Sequence, residues 1–164
     1  MVVLISYLDK HQKEINIDMK DYLIGGFSAG GHAVGMLLTK HFSFEKYKIL
    51  KPKLMFLGYG VITMGKYATP GSKLALLGEK PQKKDIEKYS IELGIEKKMC
   101  KLYFWQCERD NIVPFENFTL LKDAATKAKL DFRCRSFDSD AYGWGIANNK
   151  LADGWIDDML NFIN

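Results

Sequence analysis

Gly26-Phe27-Ser28-Ala29-Gly30-Gly31 constrains this chain more than any other stretch, because it sets a serine in a G-x-S-x-G frame between two different hydrophobic patterns. Ahead of it, residues 21–26 (DYLIGG) form a short apolar run closed by glycines, which reads as a buried strand. After Ser28 the pattern becomes helical: residues 29–41 place Ala33, Met36, Leu37 and Lys40 at helical spacing. A strand that turns into a helix at a serine needs a tight, strained backbone. Glycines on either side, Gly26 and Gly30, are expected because a Cβ would collide with the neighbouring strand and helix. Such a turn lifts the Ser28 hydroxyl above the carboxyl edge of the sheet. It also aims the Ala29 N–H, at a helix N-terminus, at the place where an oxyanion would form.

The rest of the chain repeats this alternation. Residues 53–58 (KLMFLG), introduced by Pro52, and residues 101–107 (KLYFWQC) read as two further buried strands. Residues 130–137 (LDFRCRSF) alternate apolar and polar side chains, as an edge strand should. Residues 1–15 read best as a helix, although the β-branched start at residues 2–5 also suits a strand. Residues 61–77, with Gly65, Pro70 and Gly71, read as loop with a short helical piece, and residues 83–93 as a polar surface helix. Pro114 opens a helix that runs to about Lys129, since a proline in the first turn forfeits no hydrogen bond. Residues 151–163 form an amphipathic helix with Trp155, Ile156, Met159, Leu160 and Ile163 on one side. The expected fold is therefore α/β: a mainly parallel sheet of about four strands with helices on both faces. The 164 residues suffice for one domain with its own core, spanning 1–164.

Composition excludes several classes. The net charge is +4, and the lysines are spread through residues 10–20, 46–53, 80–88 and 97–101 among acidic and apolar neighbours, which suits a solvated surface and no nucleic-acid partner. Cys100, Cys107 and Cys134 are odd in number and lack CxxC spacing, which argues against a disulfide framework or a structural zinc. Cys107 lies in an apolar strand and is expected to be a buried, reduced thiol, so a cytoplasmic location fits best. Residues 1–8 lack the basic lead and cleavage site of a signal peptide, and no run approaches the ~20 apolar residues of a membrane span. Residues 25–31 lack the GxGxxG register and no phosphate-loop lysine follows, so no nucleotide, flavin, metal or other cofactor is expected.

A nucleophilic serine needs a base, and the base needs an orienting carboxylate. Asp110, at the end of the strand 101–107, stands in the right place for the acid, with Glu108 the weaker candidate. The bland reading of Asp110 is a turn residue or a pair with Arg109. The base belongs after the last strand, yet residues 137–145 (FDSDAYGWG) contain no histidine. The three histidines, His11, His32 and His41, all precede the acid, and the helix after Ser28 is expected to carry His32 away from the site.

Taken in order, residues 16–26 (NIDMKDYLIGG), Gly26–His32 as GFSAGGH, residues 76–79 (LLGE), residues 110–117 (DNIVPFEN) and residues 155–162 (WIDDMLNF) resemble the acetyl-esterase and lipase-like branch of the α/β-hydrolases, related to xylan-side-chain esterases. The resemblance runs nearly end to end and implies a partial α/β-hydrolase fold. It implies Ser28 as nucleophile, Ala29 as a backbone oxyanion donor, Asp110 as triad acid and small acetyl or acyl esters as substrates. Two departures accompany it. The family's His-Gly after the last strand appears here as Tyr142-Gly143, and a phenol, with an ordinary pKa of about 10, accepts protons poorly at neutral pH. The family's N-terminal portion, with the first strands and the glycine-rich loop carrying the second oxyanion donor, has no counterpart here. The strand at residues 21–26 would then lack a neighbour, and a second copy, a complementing chain or residues 1–8 is expected to cover it. The alternative to an esterase is a catalytically inactive remnant or split-gene fragment with a binding or structural role.

Overall fold

The computed structural model describes residues 1–96, 100–147 and 150–164, so Lys97 and Lys98 of the last lysine group lie outside the described residues. Along these the elements run α1 (Val2–His11), β1 (Leu23–Phe27), α2 (Ala29–Gly35), a 3₁₀ turn (Met36–Leu38), α3 (Phe44–Tyr47), β2 (Leu54–Gly58), α4 (Pro70–Leu77), α5 (Lys83–Tyr89), α6 (Ile91–Gly94), β3 (Lys101–Cys107), α7 (Glu116–Lys127), β4 (Phe132–Phe137) and α8 (Trp155–Ile163). The strands form a four-stranded sheet in the order β1-β2-β3-β4, with every pairing parallel. The register sets Phe27 beside Gly58 and Gly58 beside Trp105.

Parallel strands buried on both faces send alternate side chains to opposite cores. Met55, Leu57, Leu102 and Phe104 enter one cluster with Ile5 of α1, Val34 of α2, Ile91 of α6 and Phe118, Leu121 and Ala125 of α7. Leu54, Tyr103, Trp105 and Cys107 point the other way, onto Trp155 and Met159 of α8. The Trp155 ring contacts Phe27, Phe56, Tyr103 and Trp105, with centroids 5.2–6.2 Å away. A third patch, Val61, Met64 and Val113, seals the carboxyl end of the sheet beneath the loop after β2. Buried Asn117 laces this end together. Its Oδ1 accepts from the amides of Ile62 (2.8 Å) and Thr63 (3.1 Å), and its Nδ2 donates to the carbonyls of Tyr67 and Pro114 (both 3.0 Å).

The β-branched start of the chain is helical, as its sequence reads best, with buried Ile5 facing the core, and several other expectations shift. The helix after Ser28 ends at Gly35 and tightens into the 3₁₀ turn, so Val34, Leu37 and Leu38 are the buried residues while Ala33 and Lys40 face solvent. Tightening rotates the apolar stripe by about one residue relative to a continuous helix. The surface helix at 83–93 breaks at Ser90, whose backbone is extended; its Oγ donates to the Ile86 carbonyl and accepts from the Met64 amide. The terminal helix starts at Trp155 because Gly154, at φ 83°, ends the preceding turns in a left-handed conformation. It buries Trp155 and Met159, and Ile156 and Leu160 remain partly exposed. No helix among the described residues is long and apolar enough to cross a membrane.

Candidate active site

Four strand ends converge at the carboxyl edge of the sheet, where open α/β sheets place their ligands. Ser28 follows β1, Tyr59 follows β2, Asp110 follows β3 and Tyr142 follows β4.

Ser28 is held at φ 53°, ψ −123°, a strained conformation for a non-glycine residue that costs on the order of 1–3 kcal/mol. Three backbone bonds hold it there: Ser28 N–H donates to Gly58 O (3.0 Å), and Ser28 O accepts from His32 N (3.1 Å) and Val61 N (3.2 Å). The glycine requirement is more selective than the motif suggested. A Cβ on Gly26 would lie 2.3 Å from the carbonyl carbon and oxygen of Gly30, and one on Gly31 would lie 3.0 Å from Gly60 Cα. A Cβ on Gly30 would meet nothing within 4 Å. The close approach thus runs from the Gly26 strand position to the Gly30 backbone, and from Gly31 to Gly60; Gly30's own lack of a side chain is not needed for space. Ala29, an exposed residue, opens α2, where the first N–H groups of a helix have no partner within it. Beside Ala29, an open cleft of about 430 Å³ is lined mainly by apolar groups, including Val61, Met64, Ala75 and Leu76.

Tyr142 reaches Ser28. Its hydroxyl is hydrogen-bonded to Ser28 Oγ in a very short contact. Tyr59 supports it from beneath. The two rings meet edge to face at 5.1 Å, the Tyr59 hydroxyl accepts from the Gly145 amide at 2.9 Å, and the Tyr59 ring also packs on Phe27 and Trp105. Burial pushes the Tyr59 phenol above its ordinary value, which keeps it neutral. Sequence reasoning missed Tyr59. The available signal was Gly58-Tyr59-Gly60 directly after a strand; in the structure Tyr59 has φ 37°, an uncommon backbone conformation for a tyrosine.

Asp110 ends the β3 loop and is 8% exposed. Its Oδ1 accepts from the amides of Ile112 and Val113, both at 2.9 Å, which makes it the turn residue of the bland reading as well as a candidate acid. Its Oδ2 is buried with no hydrogen-bond partner among the described residues. Burial raises the Asp110 carboxyl above the usual carboxylate range, and the Val113 and Ile112 amides pull it partly back. Arg109 does not pair with it, forming an ion pair with Asp138 instead. Glu108 faces outward and accepts from Ser136 Oγ at 2.7 Å.

No histidine bonds to Ser28 or Asp110 among the described contacts, although His32 lines the cleft beside Ala29. His32 is buried, and its Nε2–H donates to the Tyr89 carbonyl at 2.8 Å, tying α2 to the end of α5. His11 pairs with Glu14, and His41 borders a cleft with Lys40, Lys84 and Lys88. No group of metal-ligating side chains that could hold an ion occurs among the described residues.

No family model matches the chain. The chain is 32% identical over 158 residues to endo-1,4-beta-xylanase B of Butyrivibrio fibrisolvens, a match that takes 92% of this chain and 25% of that protein. Among solved structures it is similar to an acetyl ester-xyloside bifunctional hydrolase from Caldicellulosiruptor lactoaceticus, with TM-score 0.83, 26% identity, and coverage of 99% of this chain and 65% of that one. A carboxylesterase from Lactobacillus plantarum matches with TM-score 0.78 and 20% identity over 99% of this chain and 64% of that one. An α/β-hydrolase enzyme from a deep-sea metagenome matches with TM-score 0.64 and 19% identity, over 97% and 60%. The chain thus spans a quarter of the xylanase and a little under two thirds of these structures. With its all-parallel four-stranded sheet flanked by helices, the chain has a partial α/β-hydrolase fold like that of these enzymes.

Proposed function

We propose that this chain carries the nucleophile-bearing part of a serine esterase for small acetyl or acyl esters, and that its site is incomplete as it stands. The observation that supports this most is the arrangement of Ser28: strained turn, Ala29 N–H at a helix start, and the Tyr142 hydroxyl where a base belongs. The apolar cleft beside Ala29 gives a short acyl chain somewhere to lie. Ser28 Oγ would attack the ester carbonyl, and Ala29 N–H would donate to the resulting oxyanion. A triad without its histidine loses up to about 10⁶ in rate, leaving roughly 10³–10⁴ over water.

The test is labelling with a fluorophosphonate, read by intact mass, beside p-nitrophenyl acetate turnover. Slow modification confined to Ser28 and absent in Ser28→Ala is expected. A native chain left unmodified after prolonged exposure would overturn the reading and favour the inactive remnant, which the occupied Ser28 hydroxyl also suits.

The same reading extends to partners. β1 has a neighbour on one side only among the described residues, all five of its residues are partly accessible, and α1 turns Val3, Leu4 and Tyr7 to solvent. A second copy or a complementing chain covers this edge in our reading, since an open buried-type strand invites pairing. Light scattering checks this: a monomer at micromolar concentration with fast-exchanging β1 amides would refute it.

A further inference from the structure

We infer that Ser28 with Tyr142 forms a one-turnover acyl acceptor: an activated ester acylates Ser28, and the acyl-enzyme then persists. This rests on the serine-esterase reading above and goes beyond it by assigning the missing step.

The first step needs little from the protein. Ser28 Oγ bonds to the ester carbonyl carbon while the bond from that carbon to the leaving oxygen breaks. The Ser28 proton passes to the Tyr142 hydroxyl oxygen, already within hydrogen-bond reach of Ser28 Oγ, and the Tyr142 proton passes to the leaving oxygen or to solvent. Tyr142 is therefore unchanged at the end, and no charged base is required. Its hydroxyl can relay outward because the side chain is 36% exposed. Ala29 N–H, at the start of α2, would donate to the developing oxyanion, and an aryl oxide leaves readily as an anion at neutral pH.

The second step makes different demands. Water must attack the same carbonyl and lose a proton as it does so, while Ser28 Oγ must regain one as it leaves. A serine oxyanion is a far poorer leaving group than an aryl oxide, and water is a weak nucleophile. This step therefore needs a positioned base that takes a proton and returns it, a role worth about 10²–10⁴. The carboxylate that would orient and charge such a base is present and idle. Asp110 Oδ1 is committed to the Ile112 and Val113 amides, and Oδ2 is buried without a partner among the described residues. No described hydrogen bond links Asp110 to Tyr142 or Ser28, and Tyr59, beneath Tyr142, spends its hydroxyl on the Gly145 amide. Acylation by an activated ester can thus run on the phenol relay, whereas deacylation must expel the Ser28 alkoxide with a weak water nucleophile, which that relay without a positioned base leaves slow.

The experiment mixes the native chain with p-nitrophenyl acetate at neutral pH. Released p-nitrophenolate and intact mass are followed together. The expected result is a burst of one equivalent, a mass gain of one acetyl group on Ser28 and no steady release above Ser28→Ala. The adduct should persist for hours in buffer and be stripped by neutral hydroxylamine, a nucleophile that needs no base. Tyr142→Phe keeps the ring on Tyr59 and removes the relay; it should acylate at least about tenfold more slowly with an unchanged melting temperature. A burst followed by linear, Ser28-dependent release would overturn the stall while leaving the esterase reading intact. An equal acylation rate in Tyr142→Phe would overturn the relay. No modification of Ser28 by either the acetate or the fluorophosphonate would instead sink the esterase reading itself.

Discussion

Substituting alanine at Gly26 and at Gly30 separates two glycines that the G-x-S-x-G frame treats alike. At Gly26 the added methyl would sit 2.3 Å from the Gly30 carbonyl carbon and oxygen and 2.8 Å from the Gly31 nitrogen. Carbon atoms pack at roughly 3.5–4.0 Å, so α2 must retreat from β1 by about 1 Å. Both elements are pinned, by the Ser28 amide on Gly58 O and by Val34 in the core, so the strain cannot be shed cheaply. Overpacking of this kind costs about 1–3 kcal/mol. At roughly 2–4 °C per kcal/mol for a chain of this size, Gly26→Ala should lower the melting temperature by about 2–12 °C. Moving α2 also shifts Ser28, so its labelling should slow. At Gly30 the methyl meets nothing and the residue lies in the first turn of α2. Gly30→Ala should gain up to about 1 kcal/mol from helix propensity and raise the melting temperature by about 2–4 °C. Paired thermal and urea melts by circular dichroism, with fluorophosphonate labelling, decide the matter. If Gly30→Ala destabilises as much as Gly26→Ala, the account of the elbow's packing is wrong.

Three further perturbations probe the frame around the site. Trp155→Ala removes the ring at the centre of the second core, 2% exposed, and should cost about 3–5 kcal/mol in urea unfolding; a loss below about 1 kcal/mol would show that α8 is not holding that face. Asn117→Ala strands the amides of Ile62 and Thr63 without acceptors and should cost at least about 2–3 kcal/mol, whereas hydrogen exchange at those amides unchanged from the native rate would contradict the lacing role. Burial holds His32 below its ordinary value of 6.5, so the unfolded chain takes up the proton first; the stability this histidine contributes is present above pH 6.5 and is lost as the pH falls towards its folded value. His32→Gln can still donate to the Tyr89 carbonyl, and its stability should decline less over that window, with identical pH slopes for the two chains as the refuting outcome.

By itself the sequence determined the sheet and the serine turn that follows its first strand. The runs ending at Gly26, Gly58, Cys107 and Phe137 are short, apolar or alternating, and bounded by breakers, so the period alone assigns them to strands. Strand, serine and helix in direct succession permit few backbone paths, which is why Ser28 was legible before any coordinate. Asp110 was legible for a related reason: a carboxylate at a strand's carboxyl end is near the sheet's ligand edge whatever the loop does. The tertiary structure decided the matters that depend on two distant segments meeting. Only packing shows that Gly26 and not Gly30 is sterically required, because the clash is with backbone brought close by the turn. Only packing puts the Tyr142 hydroxyl on Ser28, 114 residues away, and slides Tyr59 beneath it. Asp110 Oδ2 is left without a hydrogen-bond partner among the described residues by the same assembly, while the Tyr142 hydroxyl bonds Ser28. Local pattern selects elements because its physics is short-ranged; a site assembled from four strand ends is a property of the closed fold.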